Sequence, residues 1–424
     1  MPQLTLSSLL EDILELALPE LSRAEGLAAS VIRDQILSGR MVLLANPNHH
    51  EVRPTLVGQP SGIKVNANIG TSPLRNDAGK ELEKLRVAEA AGADTVMDLS
   101  TAGDLNAIRI GMLQATRLPL GTVPLYALAQ TVVEAGRDPA EITEGQILAE
   151  IRTQAEQGVD FMTVHCGLTM RGAELASRER RLLGIVSRGG SIIARWMARN
   201  GRENPFLTRY DDILDIAREH NVTLSLGDGL RPGAGADAGD AAQWDEVAVL
   251  GDLQRRAMQA GVQAMIEGPG HVPMDQVEAQ IRTMKRLVNG APLYVLGPLV
   301  TDCAPGYDHI AGAIGGALAV RAGADFLCYL TPAEHLTLPD AEDVRQGVMA
   351  SRVAAQAASS AMGRPSALAR EQAVSEGRRD LDWTKLAEHA LDPCEVARRR
   401  AEHSGEKECA MCGKFCAIRM LSDV

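Results

Sequence analysis

From about residue 64 to 362 the chain alternates short apolar runs with longer amphipathic ones. The short runs are IKVNANI (63–69), DTVMDLS (94–100), LGTVPLY (120–126), DFMTVHC (160–166), LLGIVSR (182–188), VTLSLGD (222–228), VQAMIEG (262–268), LYVLGPL (293–299) and DFLCYL (325–330). Runs of that length bounded by turn residues predict buried strands. Between them, stretches such as KELEKLRVAEAAGA, EGQILAEIRTQAEQG and MDQVEAQIRTMKRLVNG have helical spacing, and several end in Gly just before the next strand, as a left-handed cap requires. Repeated strand–helix units predict a parallel sheet. Eight or nine such units fit a (β/α)8 barrel, with an open doubly wound sheet as the alternative.

The polar residues favour the barrel. Asn66, Asn68, Asp98, Tyr126, His165, Ser187, Arg188, Asp228 and Glu267 fall at or near the C-terminal ends of the predicted strands. In a barrel those ends meet at one mouth, where active sites lie. In an open sheet the outermost strands are too far apart to share a site.

The flanks differ. Residues 1–60 read as a helical lead-in, from the spacing of Leu9, Ile13 and Leu16 and of the run Ala28–Leu37, followed by a loop region marked by Pro47, Pro54 and Pro60. The barrel is expected over 61–362. A polar tail over 363–424 ends in CAMCGKFC, outside the barrel repeat.

Charge and composition narrow the function. The net charge of −12 argues against a broad nucleic-acid surface, and the short run Arg398–Arg399–Arg400 reads as a solvated helix face. No apolar run approaches the about 20 residues that cross a bilayer. The acidic start MPQLTLSSLLEDILELALPEL does not resemble a secretory signal, so a cytoplasmic protein is expected. An odd count of 7 cysteines in such a compartment argues against a disulfide framework.

Three of those cysteines, Cys409, Cys412 and Cys416, form C-x2-C-x3-C, and Gly413 permits the turn between them. Three closely spaced thiolates suit a 4Fe–4S cluster with one iron left open, and an open iron can chelate S-adenosylmethionine. Spacing alone also admits a zinc site completed by His403 or another Cys. Cys166, Cys303 and Cys328 sit in apolar contexts and read as small buried residues.

The segments KVNANIGTS, AGADTVMDLSTAGD, GTVPLY, GVDFMTVHCG, GIVSRGGS, LSLGDGLRPG, QAMIEGPGHVP, LGPLVTD, APGYDHI, FLCYLTPAEHL and CAMCGKFC occur in that order. With them the chain closely resembles the phosphomethylpyrimidine synthase family of thiamine biosynthesis over about residues 41–424. The resemblance implies a (β/α)8 barrel and a radical S-adenosylmethionine lyase. It implies rearrangement of 5-aminoimidazole ribotide to 4-amino-5-hydroxymethyl-2-methylpyrimidine phosphate. It also implies a homodimer with exchanged cluster tails and an external electron donor. A close relative, 5-hydroxybenzimidazole synthase, uses the same substrate and is the alternative. The stretch Asn46–Pro47–Asn48–His49 departs from the family's usual pattern and is expected near the barrel mouth, where it would bear on that choice.

Carried over residue by residue, the resemblance implies substrate contacts at Asn68, Met97, Tyr126, His165, Ser187, Arg188, Gly189, Asp228, Gly229, Leu230, Arg231, Glu267 and Tyr294. Glu267 and His165 are the expected acid–base groups. His271 and His335 are the expected ligands of zinc or another divalent metal, and the three tail cysteines those of the cluster. Read from the residues alone, Ser187–Arg188–Gly189–Gly190 opens a helix, and helix-start N–H groups with a hydroxyl and a guanidinium suit a phosphate.

Overall fold

The computed structural model describes residues 3–178, 180–409 and 411–420. The chain forms two compact units, Met1–Ala355 and Gln356–Val424. In the first unit ten strands appear: β1 (Val42–Leu44), β2 (Thr55–Val57), β3 (Lys64–Ile69), β4 (Thr95–Asp98), β5 (Leu120–Thr122), β6 (Phe161–Val164), β7 (Thr223–Leu226), β8 (Ala264–Glu267), β9 (Leu293–Leu296) and β10 (Phe326–Cys328). β3 to β10 pair in sequence order, and β10 returns to β3, so eight parallel strands close a barrel. The (β/α)8 fold expected from the alternating pattern is the fold observed, and the open sheet is excluded.

The strands are buried on both faces, which explains their near-continuous apolar runs. Aromatic rings fill the lower barrel: Tyr294 stacks on Phe326 at 4.3 Å, and Phe161 meets Phe326 edge-on at 6.3 Å. Gly121 on β5 makes room for them, since a Cβ there would lie 2.3 Å from the Phe161 ring. Helices outside the barrel cover it. The helix Ala78–Ala90 buries Leu85 and Ala88, and the helix Leu105–Ala115 buries Ile108, Met112 and Leu113, against Val65, Val96 and Leu120 of the strands.

Three expectations change in detail. The segment 182–188 is not a strand: Leu182 and Leu183 are 72% and 49% exposed, and the segment is a loop leading into the helix Arg188–Asn200. Its apolar letters mimic a strand, but no neighbouring strand is left to pair with it. Tyr126 lies on the helix Pro124–Glu134 rather than on a strand end, because Pro124 supplies the preset φ that starts a helix. The lead-in is not helical throughout, since β1 and β2 form an antiparallel hairpin with Val42 opposite Val57.

The lead-in helix Ser8–Glu25 buries Leu10, Leu14 and Leu21 against Ile32, Ile36, Met41, Leu43 and Leu56. Leu16 is 85% exposed, so the buried stripe lies one residue round from Leu9, Ile13 and Leu16. The loop after β1 plugs the N-terminal end of the barrel, not its mouth. Asn46 donates from its side chain to the carbonyls of Ala155 and Val159, both at 2.9 Å, and His49 Nδ1 meets Asp160 Oδ2 at 2.7 Å. Asp160 immediately precedes β6, so Asn46–Pro47–Asn48–His49 sits at the opposite end from the expected one.

The second unit contains the helices Pro365–Asp380, Trp383–His389 and Pro393–Arg400. Arg398 and Arg399 are exposed and pair with Glu395 on the same helix, as a solvated face would. Among the described residues no helix is long and apolar enough to cross a membrane.

Candidate active site at the barrel mouth

At the C-terminal ends of the strands one cavity is lined by Asn68, Met97, Tyr126, His165, Asp228, Arg231, Glu267 and Tyr294. Apart from the Asp228–Arg231 pair, each comes from a different strand or the segment after it: Asn68, Met97, Tyr294 and Glu267 stand on β3, β4, β9 and β8, His165 follows β6, and Tyr126 opens the helix after β5. Parallel strands in a closed barrel force that convergence.

Polar side chains inside the barrel build the floor. Asn66 donates through Nδ2 to Asn68 Oδ1 and to the Tyr294 hydroxyl, both at 2.7 Å, and accepts from the Thr95 hydroxyl at 2.7 Å. Glu267 ends β8. One of its carboxylate oxygens accepts from the Thr163 hydroxyl at 2.7 Å and from the Ser225 hydroxyl at 3.0 Å, which fixes its rotamer in the cavity. Thr163 and Ser225 face inward from β6 and β7. Cys328, from β10, also lines the cavity and accepts a bond from Asn68 Nδ2 at 3.0 Å.

Asp228 and Arg231 form an ion pair at 2.9 Å. Burial pushes the Asp228 carboxyl up to about 8, against the pull of the Arg231 guanidinium and with a further push from the Glu267 charge. A carboxyl poised there changes its charge when a basic group of a ligand arrives. His165 is the opposite case. Burial, reinforced by Arg231, lowers its imidazole to about 3, so it is neutral at physiological pH. Its Nε2 stands 3.3 Å from the Ser187 hydroxyl, while its buried Nδ1 has no partner. An orphaned ring nitrogen on a cavity wall is a seat for one ligand hydrogen bond.

Ser187 caps the helix Arg188–Asn200, its hydroxyl accepting from the Gly190 N–H at 3.2 Å. The Arg188 guanidinium lies 4.8 Å from the centre of the Tyr126 ring, at the cavity edge. Gly189 and Gly190 are required by close approach. A Cβ on Gly189 would lie 2.1 Å from the His165 ring, and one on Gly190 2.2 Å from the Gly229 carbonyl oxygen. The helix start is thus pressed against both His165 and the Asp228–Gly229 backbone, an arrangement that suits an anionic group beside the cavity.

His271 and His335 also come together, with ring centres 5.2 Å apart. His271 is fixed by an extension of the barrel wall, where its neighbour Val272 donates to the Leu299 carbonyl at 2.9 Å. Its Nδ1 meets Asp302 Oδ1 at 2.6 Å, and His335 Nδ1 meets Asp308 Oδ1 at 3.3 Å. With carboxylates on both Nδ1 atoms, the Nε2 atoms are the ring nitrogens that could hold a metal ion. His335 adopts φ +61°, a strained backbone for a non-glycine residue that turns it toward its partner. Among the described residues no group of three or more His, Cys, Asp or Glu side chains is placed to hold a metal ion.

In the second unit, Cys412 is exposed, Cys409 half-buried and Cys416 buried. Gly413, at φ +49°, lets the chain turn between Cys412 and Cys416 through the short turn Gly413–Phe415. Three soft thiol donors within eight residues fit an iron–sulfur cluster by their chemistry.

Of the residues singled out by sequence, Ser187, Arg188, Gly189, Gly229 and Leu230 do not line the cavity: the first three form the helix start beside it, and Leu230 is fully buried, with its side chain against Gly172. Thr163 and Ser225 escaped the sequence reading, and Cys328, read there only as a small buried residue, also lines the cavity. An isolated hydroxyl inside FMTV and TLSL is the signal that marks the first two as inward-facing. Cys166 and Cys328 are buried as expected, whereas Cys303 is exposed beside the Thr301 hydroxyl, because it lies on the loop after β9.

Residues 6–423 match the family described as Radical SAM ThiC family. The chain is 50% identical to phosphomethylpyrimidine synthase of Methanopyrus kandleri over 407 residues, 95% of each protein. It is 50% identical to the enzyme of that name from Moorella thermoacetica over 410 residues, 96% of this chain and 95% of that one. It is also 50% identical to the one from Geobacter metallireducens over 408 residues, 95% and 93% respectively. The matched region spans both the barrel and the cysteine stretch, and the chain belongs to the Radical SAM ThiC family.

Proposed function

We propose that this protein is the radical S-adenosylmethionine lyase that makes the thiamine pyrimidine, converting 5-aminoimidazole ribotide to 4-amino-5-hydroxymethyl-2-methylpyrimidine phosphate. One observation carries the reading. In a chain half identical, end to end, to proteins named phosphomethylpyrimidine synthase, eight side chains that the family resemblance assigns to substrate line a single cavity at the barrel mouth.

The cofactors are a 4Fe–4S cluster and S-adenosylmethionine. Cys409, Cys412 and Cys416 hold the cluster, which when bound supplies the electron that splits S-adenosylmethionine into methionine and a deoxyadenosyl radical. The remaining work falls to the barrel. The ribotide phosphate lies at the start of the helix Arg188–Asn200, on its free N–H groups and the Arg188 guanidinium. Asp228 and Arg231 grip the aminoimidazole and ribose edges. Neutral His165 gives one hydrogen bond through its free nitrogen. Glu267, locked by Thr163 and Ser225, takes or returns a proton as the ring is rebuilt. The narrow floor of Asn66, Asn68, Met97 and Tyr294 keeps a reactive intermediate away from water.

His271 and His335 hold a divalent ion, zinc or another, whose role is to anchor substrate or S-adenosylmethionine. The protein acts as a homodimer in which each cysteine tail serves the partner's barrel, with an external electron donor. Mixing a Cys412→Ser chain with a Glu267→Ala chain restores activity in heterodimers if tails are exchanged; verified exchange without rescue overturns that arrangement.

The deciding experiment is an anaerobic incubation of reconstituted protein with the ribotide, S-adenosylmethionine and a reductant, followed by mass analysis. The pyrimidine phosphate and deoxyadenosine are expected. A fluorescent benzimidazole without pyrimidine phosphate would overturn the product and leave the fold and cofactors standing.

A further inference from the structure

The Asp228–Arg231 loop carries two charged cavity side chains but belongs to no strand or helix, following β7 after one residue. Such a loop needs an external support if its side chains are to hold a fixed geometry. Its centre, Leu230, is held by two buried side chains that do not line the cavity. The Leu230 N–H donates to Glu246 Oε2 at 2.7 Å, and its carbonyl accepts from the Arg181 guanidinium at 2.7 Å. Arg181, with no exposed side-chain surface, also reaches the carbonyls of Gly184 and Arg231 at 3.3 and 3.4 Å. It is anchored by both carboxylate oxygens of Asp240, at 2.7 and 2.8 Å. Glu246 stands on the helix Ala241–Gln259 and is 2% exposed.

The loop has little room to move. A Cβ on Gly229 would lie 3.0 Å from Glu246 Oε1 on one side, and Gly190 abuts the Gly229 carbonyl on the other. Any shift of the Leu230 peptide therefore carries Asp228, Arg231 and the helix start at Gly190 with it. Burial holds the Glu246 carboxyl well above its ordinary range, against the pull of the Leu230 N–H that it accepts.

We propose that Arg181 and Glu246 are positioning residues: a two-sided clamp on the Leu230 peptide that sets where Asp228 and Arg231 meet the substrate. The proposal rests on the reading of this cavity as the ribotide site. Binding groups tolerate errors of only about half an ångström, and a displacement of about 1 Å costs up to about 100-fold. Lysine at 181 lacks the planar fork needed to reach Asp240 and the loop carbonyls together. Glutamine at 246 keeps an acceptor for the Leu230 N–H. Asparagine at 240 still caps the helix Ala241–Gln259, which Asp240 caps through the Gln243 N–H, but loosens Arg181.

The test measures the dissociation constants of the ribotide and of S-adenosylmethionine by calorimetry on the anaerobically reconstituted full-length protein, with KM and kcat alongside. Arg181→Lys and Glu246→Ala are expected to raise the ribotide constant and KM by about 10- to 100-fold. They should leave the S-adenosylmethionine constant unchanged and kcat at saturation within about threefold, while Glu246→Gln restores most of the loss. Where Arg181→Lys or Glu246→Ala does not fold, as judged by melting, Asp240→Asn decides by the same constants. Asp228→Ala is the reference. If it weakens ribotide binding while the clamp variants bind like the wild type, the clamp is wrong and the cavity reading survives. If Asp228→Ala and Arg231→Ala also bind ribotide like the wild type, the cavity reading falls and takes the clamp with it.

Discussion

β6 carries a buried ionisable residue at each end, and the two are treated oppositely. At its foot, Asp160 accepts from the Asn46 N–H at 2.8 Å and the Leu120 N–H at 2.7 Å and faces His49 Nδ1. His49 in turn reaches the Thr116 carbonyl through Nε2 at 3.2 Å, so both of its nitrogens are engaged. At the head, His165 keeps a buried ring nitrogen with no partner. A buried polar atom left unpaired costs about 1–3 kcal/mol. The foot avoids that cost and the head accepts it, which is what separates a joint that holds the barrel from a surface waiting for a ligand.

The largest expected effect lies at the cysteines, which belong to neither end of β6 and are the proposed cluster ligands. Each of Cys409→Ser, Cys412→Ser and Cys416→Ser should reduce deoxyadenosine formation to background, read by chromatography after anaerobic reconstitution. Full activity in any of the three would remove that thiol from the cluster.

Next come Asp160→Ala and His165→Ala, made separately. The first strips a saturated network and leaves His49 Nδ1 and two N–H groups buried without partners, so it should cost about 3–5 kcal/mol of stability in denaturant titration. The second removes a group whose bonding is completed only by ligand. It should cost little stability while raising the ribotide KM about 10-fold or more, the scale of one lost buried hydrogen bond. Similar stability losses in both variants would erase the distinction between foot and head.

His271→Ala and His335→Ala should each lose the non-cluster divalent ion by metal analysis. Asp302→Asn should keep the site but weaken it about 10- to 100-fold, as expected for a carboxylate that orients a ligating imidazole. Unchanged occupancy in both histidine variants would show that the pair binds no metal.

Much of this was legible in the sequence because period and position carry the information. Eight of the nine apolar runs are barrel strands, and Asn68, Tyr126, His165, Asp228 and Glu267 at or after their ends line one cavity, whereas Asp98 does not and accepts from the Ser100 N–H instead. What failed shares a cause. LLGIVSR has strand-like letters but no free partner, and pairing is a property of the whole sheet. The hairpin of β1 and β2 was hidden by Pro47 and Pro54, which lie in its connection rather than in its strands. The expectation of Asn46 and His49 at the mouth rests on their stretch's departure from the family's pattern, which carries no position; only the closed barrel shows that they approach from below. Arg181 and Glu246 leave no local signature, since their work is to hold a backbone far away in sequence.

The smallest effect is the acid dependence of stability, and it tests the two histidines of the comparison by sign. At His165 the folded pKa is about 3 against an ordinary 6.5, so between those values the unfolded chain binds a proton that the native state refuses. Stability from this site therefore rises with pH across that window and is lost on acidification. Relative to His165→Gln, the wild type should lose about 1 kcal/mol between pH 7.5 and 5.5. His49 runs the other way. Burial alone would lower its pKa, but the Asp160 carboxylate on Nδ1 and the Thr116 carbonyl raise it above 6.5. Its contribution is fully present below 6.5 and lost as pH climbs through the raised value, so relative to His49→Gln the wild type should gain stability on acidification. Denaturant melts of the three proteins at pH 5.5, 6.5 and 7.5 read both differences. Slopes of the same sign would mean that the saturated foot and the unsaturated head do not differ in the way their hydrogen bonds require.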